Sequence, residues 1–362
     1  MQLLSICNQI MYKSQPYYIK SNNSTFQTQK RLNTMIYYLF PKTFIYSNFI
    51  CCQVVETDHS NNEHVNTDYS TSLSHYLKQL EAHTYSLFDW EKVCHTSNPY
   101  RCLVGRDHNR SLVRYEVIEL YNLMKFTWEG CASLSTIHIN KCTIHAIEHI
   151  RRKNPNDKHL CMEKLSTVAD FNKYSKLSAI DIAFCESASN HEYSNNINLL
   201  LQLCVCLCVL KLKGTCIIKL GDTFSSLSLD LVALLSHFFE KTVFLKPIVC
   251  NTASCEKYIV CKGFLYEAND ELRHETFFKL YSSIIGCPPE KTIRRILHVE
   301  IPLFVCGKLE EVNSIMGQPR LEKIQSIITS MEYATEMSSE NDLEKCKEWR
   351  EKNITKKTNL NV

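Results

Sequence analysis

Short apolar segments alternate with longer apolar segments between residues 179 and 262. The short segments, which predict strands, are Ala179–Cys185, Thr215–Leu220, Thr242–Leu245 and Lys257–Lys262. The longer ones, which predict buried helices, are Ile197–Lys211 and Leu227–Phe239. A strand, helix, strand order is typical of a parallel sheet covered by helices on both faces. The predicted fold class is therefore α/β, with a Rossmann-like sheet.

Polar residues stand at or near the ends of three of these strands. Glu186 and Lys219 close two of them, and Glu256 lies just before the last. Ligands of open α/β sheets bind beyond the carboxyl ends of the strands. These three side chains are therefore the first candidates for a functional site.

The chain divides by composition into three regions. Residues 1–75 are rich in Asn, Ser, Thr, Gln and Tyr without a sustained period, which predicts a variable or disordered extension. Residues 76–264 form the predicted core domain, with further helices at Ser86–Lys92, Leu112–Phe126 and Cys142–Arg152. Residues 265–362 predict a mostly helical C-terminal extension with a basic tail.

Charge and cysteine content limit the class of protein. The formal net charge of +3 excludes a strongly basic nucleic-acid binder, although a local basic patch for RNA remains compatible. The 19 cysteines follow an N-terminus without a secretory signal pattern, so we expect reduced thiols and an intracellular protein. The apolar run Ile197–Leu210 is shorter than a membrane-spanning helix, which favours a core helix and no membrane association.

The sequence gives little support for a metal site or for a phosphate-binding loop. Cys250, Cys255 and Cys261 lack a C-x-x-C pair, and His145 with His149 lacks the H-E-x-x-H order, so we expect no metal. The chain has only 8 glycines, about 2% of its residues, where soluble proteins average roughly 7%. No G-x-G can be written, which excludes a glycine-rich phosphate loop.

Residues 213–264 carry a specific resemblance to a known family. The family pattern has a G-x-F-x-x-K strand, a long helix, and a K-P-x-x-S-R-x-x-x-S-E-x-Y-x-V-x-K-G run. The matching residues here are Gly214 through Lys219, Lys246, Pro247, Glu256, Tyr258, Val260, Lys262 and Gly263. Upstream, Ser97–Tyr100 and Asn109–Arg114 are similar to its S-N-P-Y and N-R-A-A-M-K segments. The chain thus resembles the FtsJ/RrmJ-type ribose 2′-O-methyltransferases, especially the eukaryotic cap-specific mRNA enzymes and their relatives in large DNA viruses.

The resemblance implies a methyltransferase sheet and a specific chemistry. S-adenosylmethionine would be the cofactor, capped mRNA the partner, and cap-proximal ribose 2′-O-methylation the reaction, in the nucleus or cytoplasm. The family uses a Lys-Asp-Lys-Glu tetrad whose central lysine, with a lowered pKa, deprotonates or steers the hydroxyl group.

The tetrad is carried over with two changes. Lys219 matches the central lysine and Glu256 the final glutamate. The first lysine falls on Arg114, which is permanently protonated, and the aspartate falls on Glu186, which is longer by one methylene. A purely structural ion pair between Glu186 and Arg114 is the alternative interpretation.

The cofactor loop departs further from the family pattern. The family places E/D-x-P-G-G-F after its first strand, and the nearest segment here is Glu129–Leu134, with one glycine and no proline. Glu129, Gly130 and Ser133 are therefore the candidate cofactor contacts, and Asp170 corresponds to a later acidic position. A degenerate turn is the alternative interpretation of this loop.

Two functional hypotheses follow, and the sequence leaves open whether the chain is an active enzyme. The first is an S-adenosylmethionine-dependent RNA 2′-O-methyltransferase. The second is a catalytically impaired pseudo-methyltransferase that serves as an RNA- or protein-binding module. A coding-sequence error between residues 100 and 180 would produce the same apparent decay of the cofactor loop.

Overall fold

The computed structural model describes residues 36–45, 50–56, 71–87, 90–104, 111–177, 179–187, 192–267, 270–332 and 340–354. Its strands are β1 Ile36–Phe40, β2 Ile50–Glu56, β3 Ser135–His138, β4 Lys158–Cys161, β5 Ile180–Glu186, β6 Leu210–Leu220, β7 Phe239–Lys246, β8 Lys257–Phe264 and β9 Lys291–Leu297. Its α-helices are α1 Thr71–Leu87, α2 Trp90–Ser97, α3 Val113–Leu123, α4 Lys141–Ile150, α5 Val168–Tyr174, α6 Glu192–Val209, α7 Ser226–Phe238, α8 Glu271–Ile285, α9 Leu303–Glu332 and α10 Glu340–Asn353.

Seven strands form one sheet in the order β1-β7-β8-β6-β5-β3-β4. Strands β4, β3, β5 and β6 pair in parallel, whereas β8 pairs antiparallel with both β6 and β7. The α/β fold with a Rossmann-like sheet is confirmed. The expectation of a parallel sheet does not hold at β8, because residues 247–256 contain no crossover helix and return the chain as an antiparallel partner. It does not hold at β1 either, which pairs antiparallel with β7.

Helices cover both faces of this sheet. One core includes α6 and α7, and the other includes α3 and α4. Helix α6 is buried along most of its length, and Cys204, Cys206 and Cys208 lie in its core face as free thiols. None of the helices that the structure describes is both long and apolar enough to cross a membrane.

The predicted three-region division differs from the structure at both ends. Within residues 1–75, β1 is an edge strand of the main sheet, and β2 pairs with β9 in a second, two-stranded sheet. These strands are short and gain their stability from distant partners, so periodicity alone does not reveal them. Residues 1–35, nearly half of the predicted extension, lie outside the described residues.

The C-terminal region is mostly helical, as expected, but it also contributes strand β9. A bidentate ion pair, with Arg295 Nη2 at 2.7 Å from Asp230 Oδ1, ties β9 to helix α7. Asp230 is fully buried and also accepts hydrogen bonds from the backbone amides of Ile296 and Leu297. The C-terminal residues therefore pack as part of the sheet domain, and not as a separate appendage.

Helix α9 contacts the loop that follows β6, and helix α10 contacts helix α3. Asn313 of α9 bonds the side chain and the carbonyl of Thr223, and Arg320 forms a 2.8 Å ion pair with Asp222. Trp349 of α10 donates its indole N–H to Glu119 of α3 at 3.1 Å. Both helices consequently support the carboxyl edge of the sheet.

Candidate active site

Three of the predicted site residues converge at the carboxyl edge of the sheet. Strands β5 and β6 are parallel, with Glu186 opposite Lys219, and β8 places Tyr258 on the other side of Lys219. Glu256 immediately precedes β8 at the same edge. The alternation of side chains in strands puts Glu186, Lys219 and Tyr258 on one face.

Lys219 is held by two carboxylates. Its Nζ lies 3.2 Å from Oε2 of Glu116 and 3.2 Å from Oε2 of Glu256. Its side chain is 8% exposed, compared with 47% for Glu256. The ammonium group also lies 5.9 Å from the ring centroid of Tyr258. Lys219 is therefore a buried cation, and of its two carboxylate partners Glu256 is the one that is exposed to solvent.

The electrostatics of Lys219 differ from the expectation. Burial alone would lower the pKa of Lys219, but Glu116, Glu256 and, less strongly, Glu186 raise it above its ordinary value. This arrangement of carboxylates therefore opposes the lowered pKa that the resemblance implies for Lys219. The protonated form of Lys219 is the stable one across the ordinary pH range.

Two buried lysines among the described residues do have a lowered pKa, Lys246 at the end of β7 and Lys257 at the start of β8, and Lys246 is the one that contacts the loop before β8. Burial lowers its pKa to about 8, and its Nζ donates to the carbonyl of Ser254 at 2.5 Å. Because Leu245 pairs with Tyr258 in the antiparallel register, Lys246 projects from the face opposite to that of Lys219. Lys246 thus supports the loop before β8 from behind the cluster.

Glu186 is fixed by helix α6 and by the loop after β3. Its backbone exchanges two hydrogen bonds with the side chain of Gln202, at 2.9 and 2.8 Å. Its Oε2 accepts from Nδ2 of Asn140 at 3.0 Å. Burial raises the pKa of Glu186, while Lys219 and Asn140 act in the opposite direction.

The loop that presents Glu256 is anchored at several points. Glu119 accepts from the backbone amides of Ile248 and Val249 at 2.9 and 3.4 Å. Asn98, in the predicted S-N-P-Y segment, donates to the carbonyl of Val249 at 3.1 Å. The backbone amide of Glu256 donates to Oγ of Ser254 at 3.0 Å. This network fixes the backbone from which Glu256 reaches Lys219.

Sequence reasoning missed Glu116. It lies on α3, is only 3% exposed, and accepts a hydrogen bond from the hydroxyl of Tyr258 in addition to its ion pair with Lys219. A charged residue within an amphipathic helix is ordinarily solvated, so the sequence gives no signal for its burial. The only hint is its position two residues after Arg114.

The structure does not bring Arg114 into this cluster. Among the described residues, Arg114 forms no ion pair with Glu116, Glu186 or Glu256, and its Nε is buried without a hydrogen bond. The alternative of an ion pair between Glu186 and Arg114 is likewise not observed. Arg114 instead lies close enough to His149 to assist burial in lowering the pKa of that histidine. Asn109 and Arg110 of the same motif lie outside the described residues.

The predicted cofactor loop lies at the amino edge of the sheet, away from the cluster. Glu129, Gly130 and Ser133 precede β3, whereas the cluster lies beyond the carboxyl ends of the strands. Because Thr136 is level with Ile182 of β5, Ser133 lies about 20 Å from Glu186 along the strand direction. In the family the cofactor loop follows the first strand, whereas Glu129–Leu134 precedes β3.

A buried arginine explains why this segment has a fixed shape. Arg151 forms a bidentate ion pair with Asp157, at 2.7 and 2.8 Å, and donates to the carbonyls of Trp128 and Cys131. Asp157 also accepts from the backbone amide of Leu134 at 2.9 Å. These contacts support the alternative interpretation of Glu129–Leu134 as a structural turn.

Asp170 has a capping role. It is the N3 residue of α5 and forms a capping box with Thr167, accepting hydrogen bonds from the backbone amides of Ser166 and Thr167. These bonds lower the pKa of Asp170. Its carboxylate is thus committed to the start of a helix, as is usual for this motif.

The loop at the cluster is the one that connects β3 to α4. Asn140 caps α4 by accepting from the amide of Cys142 at 2.8 Å, and its Nδ2 donates to Glu186. This loop contains no glycine. The residue that joins the end of β3 to the carboxylate cluster is therefore Asn140.

His138, the last residue of β3, makes the packing beneath this loop sensitive to acid. Its ring stacks on Phe184 at 4.8 Å and bonds the hydroxyls of Thr136 and Thr143. Burial, assisted by His159, lowers the pKa of His138 from 6.5 to about 3. The stability from the neutral ring is complete above pH 6.5 and is lost as the pH falls toward 3.

We expect the free energy of unfolding to fall by about 2–3 kcal/mol between pH 7 and about pH 4.5 on account of this histidine. His138→Gln removes the titrating group, so its unfolding free energy has a correspondingly weaker pH dependence. Urea denaturation of both proteins at the two pH values measures the difference. An unchanged pH dependence in the variant would show that His138 is not the titrating group.

The part of the chain that forms most of this cluster is similar to a known protein family and to known proteins. Residues 131–264 match the FtsJ-like methyltransferase family. Over 118 residues, 33% of this chain, the sequence is 30% identical to cap-specific mRNA (nucleoside-2′-O-)-methyltransferase 1 of mouse. The protein of the same name is 38% identical over 79 residues in Xenopus laevis and 38% over 72 residues in human.

The matched segments are small parts of those relatives. They cover 14% of the mouse protein and 9% of the frog and human proteins. Among solved structures, human methyltransferase-like protein 13 in complex with SAH aligns over 48% of this chain and 92% of its own, at 10% identity and a TM-score of 0.27.

The family match begins just before β3 and ends with β8, so it contains Glu186, Lys219 and Glu256 and excludes Glu116 and Arg114. The sequence resemblance to this family is confirmed. Within residues 131–264 the chain is thus similar to the FtsJ-like methyltransferases.

Proposed function

We propose that this chain transfers a methyl group from S-adenosylmethionine to a ribose 2′-OH of capped RNA. The observation that carries the proposal is the cluster of Lys219, Glu186 and Glu256 at the carboxyl edge of an FtsJ-like sheet. Capped mRNA as the substrate, and a nuclear or cytoplasmic location, are part of the same proposal. They rest on the cap-specific names of the relatives.

The charge of the cluster suits a cationic methyl donor. With all groups ionised, one ammonium faces the carboxylates of Glu116, Glu186 and Glu256, a formal balance of −2. S-adenosylmethionine supplies a methyl group on a positively charged sulfur. Glu186 and Asn140, which join β5 to the loop after β3, are the residues that would hold the donor.

In this proposal the side chains have separate tasks. Lys219 orients the ribose oxygen by donating a hydrogen bond, and Glu256 fixes the direction of its ammonium group. The hydrogen bonds around residues 247–256 keep Glu256 in place, so that little reorganisation is needed when RNA arrives. Alignment of hydroxyl and methyl groups supplies much of the rate.

A pseudo-methyltransferase that binds RNA or protein is the second candidate. One observation favours it: the loop after β3 contains no glycine. This candidate keeps the fold and the surface of the carboxyl edge but transfers no methyl group.

Methyl transfer to a short capped RNA tests the proposal. With a tritiated methyl donor, we expect label on the RNA, no label on an RNA whose first transcribed nucleotides are 2′-deoxy, and about 100-fold less with Lys219→Ala. Lys279→Ala, a surface lysine paired with Glu275, is the matched control and should retain activity. RNA binding without any transfer would favour the pseudo-methyltransferase.

A further inference from the structure

Glu116 is the buried carboxylate closest to Lys219 that the family match does not include. It is contributed by α3, upstream of residues 131–264, and is 3% exposed. Its Oε2 serves two partners, the ammonium of Lys219 at 3.2 Å and the hydroxyl of Tyr258. One oxygen atom therefore connects helix α3 to both β6 and β8.

The groups that face Lys219 come from every element packed around it. They are Glu116 from α3, Glu186 from β5, Tyr258 from β8, and Glu256 with the thiol of Cys250 from the loop between β7 and β8. Glu116 is the member of this set that is both buried and in direct contact with the ammonium group. Glu256 makes the same contact from a half-exposed position.

We propose that Glu116 is a positioning residue that holds Lys219 as an ammonium group, so that Lys219 donates to the ribose oxygen and a carboxylate of the cluster takes the hydroxyl proton. The proposal deepens the proposed function and rests on it for the reaction. In the step, the O–C bond forms as the C–S bond breaks, the 2′-OH proton passes to the carboxylate, and the donor leaves as a neutral thioether.

The physical reason is the competition between burial and charge. A buried amine without a partner favours its neutral form, which could accept a proton. A carboxylate at 3.2 Å that is itself buried reverses this preference, because little water screens the pair. Removing the charge of Glu116 therefore releases Lys219 toward the neutral form, while the more exposed Glu256 compensates only partly.

A purely structural role makes a different prediction. If Glu116 served only to satisfy the hydroxyl of Tyr258, its loss would disturb packing and leave the titration of Lys219 unchanged. Tyr258→Phe removes that hydroxyl and retains the ion pair, so it separates the two roles.

The decisive experiment follows the side-chain nitrogen of Lys219 by NMR. The protein is labelled with ¹⁵N-lysine, the Lys219 signal is identified by its loss in Lys219→Arg, and the pH is raised without donor or RNA. We expect the apparent pKa of Lys219 to fall by about one to three units in Glu116→Gln. It should not move in Tyr258→Phe or in Glu275→Gln, which removes a surface carboxylate from Lys279.

An unchanged titration of Lys219 in Glu116→Gln would overturn the proposal. If that variant does not fold, Glu116→Asp keeps the charge at a greater distance and should give a smaller fall in the same direction. An unchanged pKa in Glu116→Asp, when Glu116→Gln is unfolded, would count equally against it. Since the titration contains neither donor nor RNA, its outcome is independent of whether methyl transfer is observed.

Discussion

Replacing Lys219 by methionine is expected to lower the free energy of unfolding by about 3–5 kcal/mol near neutral pH, because the variant buries carboxylates without their cation. Glu116 loses its ion pair outright, and Glu186 loses the positive charge that opposes the effect of burial on its pKa. Methionine fills a similar volume, so the loss reports charge and not a cavity.

The sign of the pH dependence provides a second test of the same variant. Without Lys219, the positive charge that opposes burial is lost, and the folded-state pKa of Glu186 rises further above its unfolded value. The destabilisation is therefore largest at neutral pH and shrinks as the pH falls and the folded protein takes up protons. Denaturant unfolding at pH 7.5 and about pH 5 measures both quantities.

Lys279→Met is the matched control for this experiment. Its partner Glu275 lies at 2.7 Å on the exposed face of α8, where an ion pair contributes little. We expect a change within about 0.5 kcal/mol and no pH dependence of that change. A loss as small in Lys219→Met would show that the carboxylate cluster is not organised around Lys219.

Arg151→Met is expected to give a loss of similar size by a different route. The side chains of Arg151 and Asp157 are 1% and 2% exposed, and the variant leaves Asp157 charged and the carbonyls of Trp128 and Cys131 without a donor. Breaking such a buried pair costs about 3–5 kcal/mol.

The effect of Arg151→Met on donor binding shows which edge of the sheet binds the donor. Because Glu129–Leu134 lies at the amino edge, the folded fraction of the variant should bind the methyl donor as the unchanged protein does. Calorimetry below the unfolding temperature measures this affinity. A strong loss of donor affinity with little loss of stability would instead show that Glu129, Gly130 and Ser133 contribute to donor binding.

The sequence was sufficient for the centre of the fold. Strands β5 to β8 and helices α6 and α7 follow from long apolar runs whose burial on both sides leaves a clear pattern. Helices predicted at Leu112–Phe126 and Cys142–Arg152 correspond to α3 and α4. The predicted helix Ser86–Lys92 instead spans the end of α1 at Leu87 and the start of α2 at Trp90, with residues 88–89 outside the described part.

Strands β3 and β4 could not be predicted because they are four residues each and mix polar with apolar side chains. Thr136, His138 and His159 read as exposed polar positions, yet they bond to one another inside the sheet. Because the family's cofactor loop follows the first strand, a sequence in which β3 is not recognised does not show where that loop lies. Glu129–Leu134 contains a glycine and so resembles the family loop more than the segment at Asn140, which contains none but follows β3.

The carboxylate cluster was partly accessible from sequence. Lys219 and Glu256 stand at strand ends in a motif with fixed spacing, and the structure brings them to 3.2 Å. Glu116 and Arg114 are two residues apart on α3, and only the rotation of that helix decides which faces Lys219. The motif predicts Arg114 as the residue of this helix that lies in the cluster, whereas Glu116 is the one that contacts Lys219.

Binding of S-adenosylmethionine, measured by isothermal titration calorimetry, tests the central claim most directly. We expect the protein to bind the donor, Glu186→Gln to weaken binding about tenfold or more, and Glu129→Gln, at the opposite edge, to leave it unchanged. Absence of binding, or a loss caused by Glu129→Gln and not by Glu186→Gln, would contradict the account.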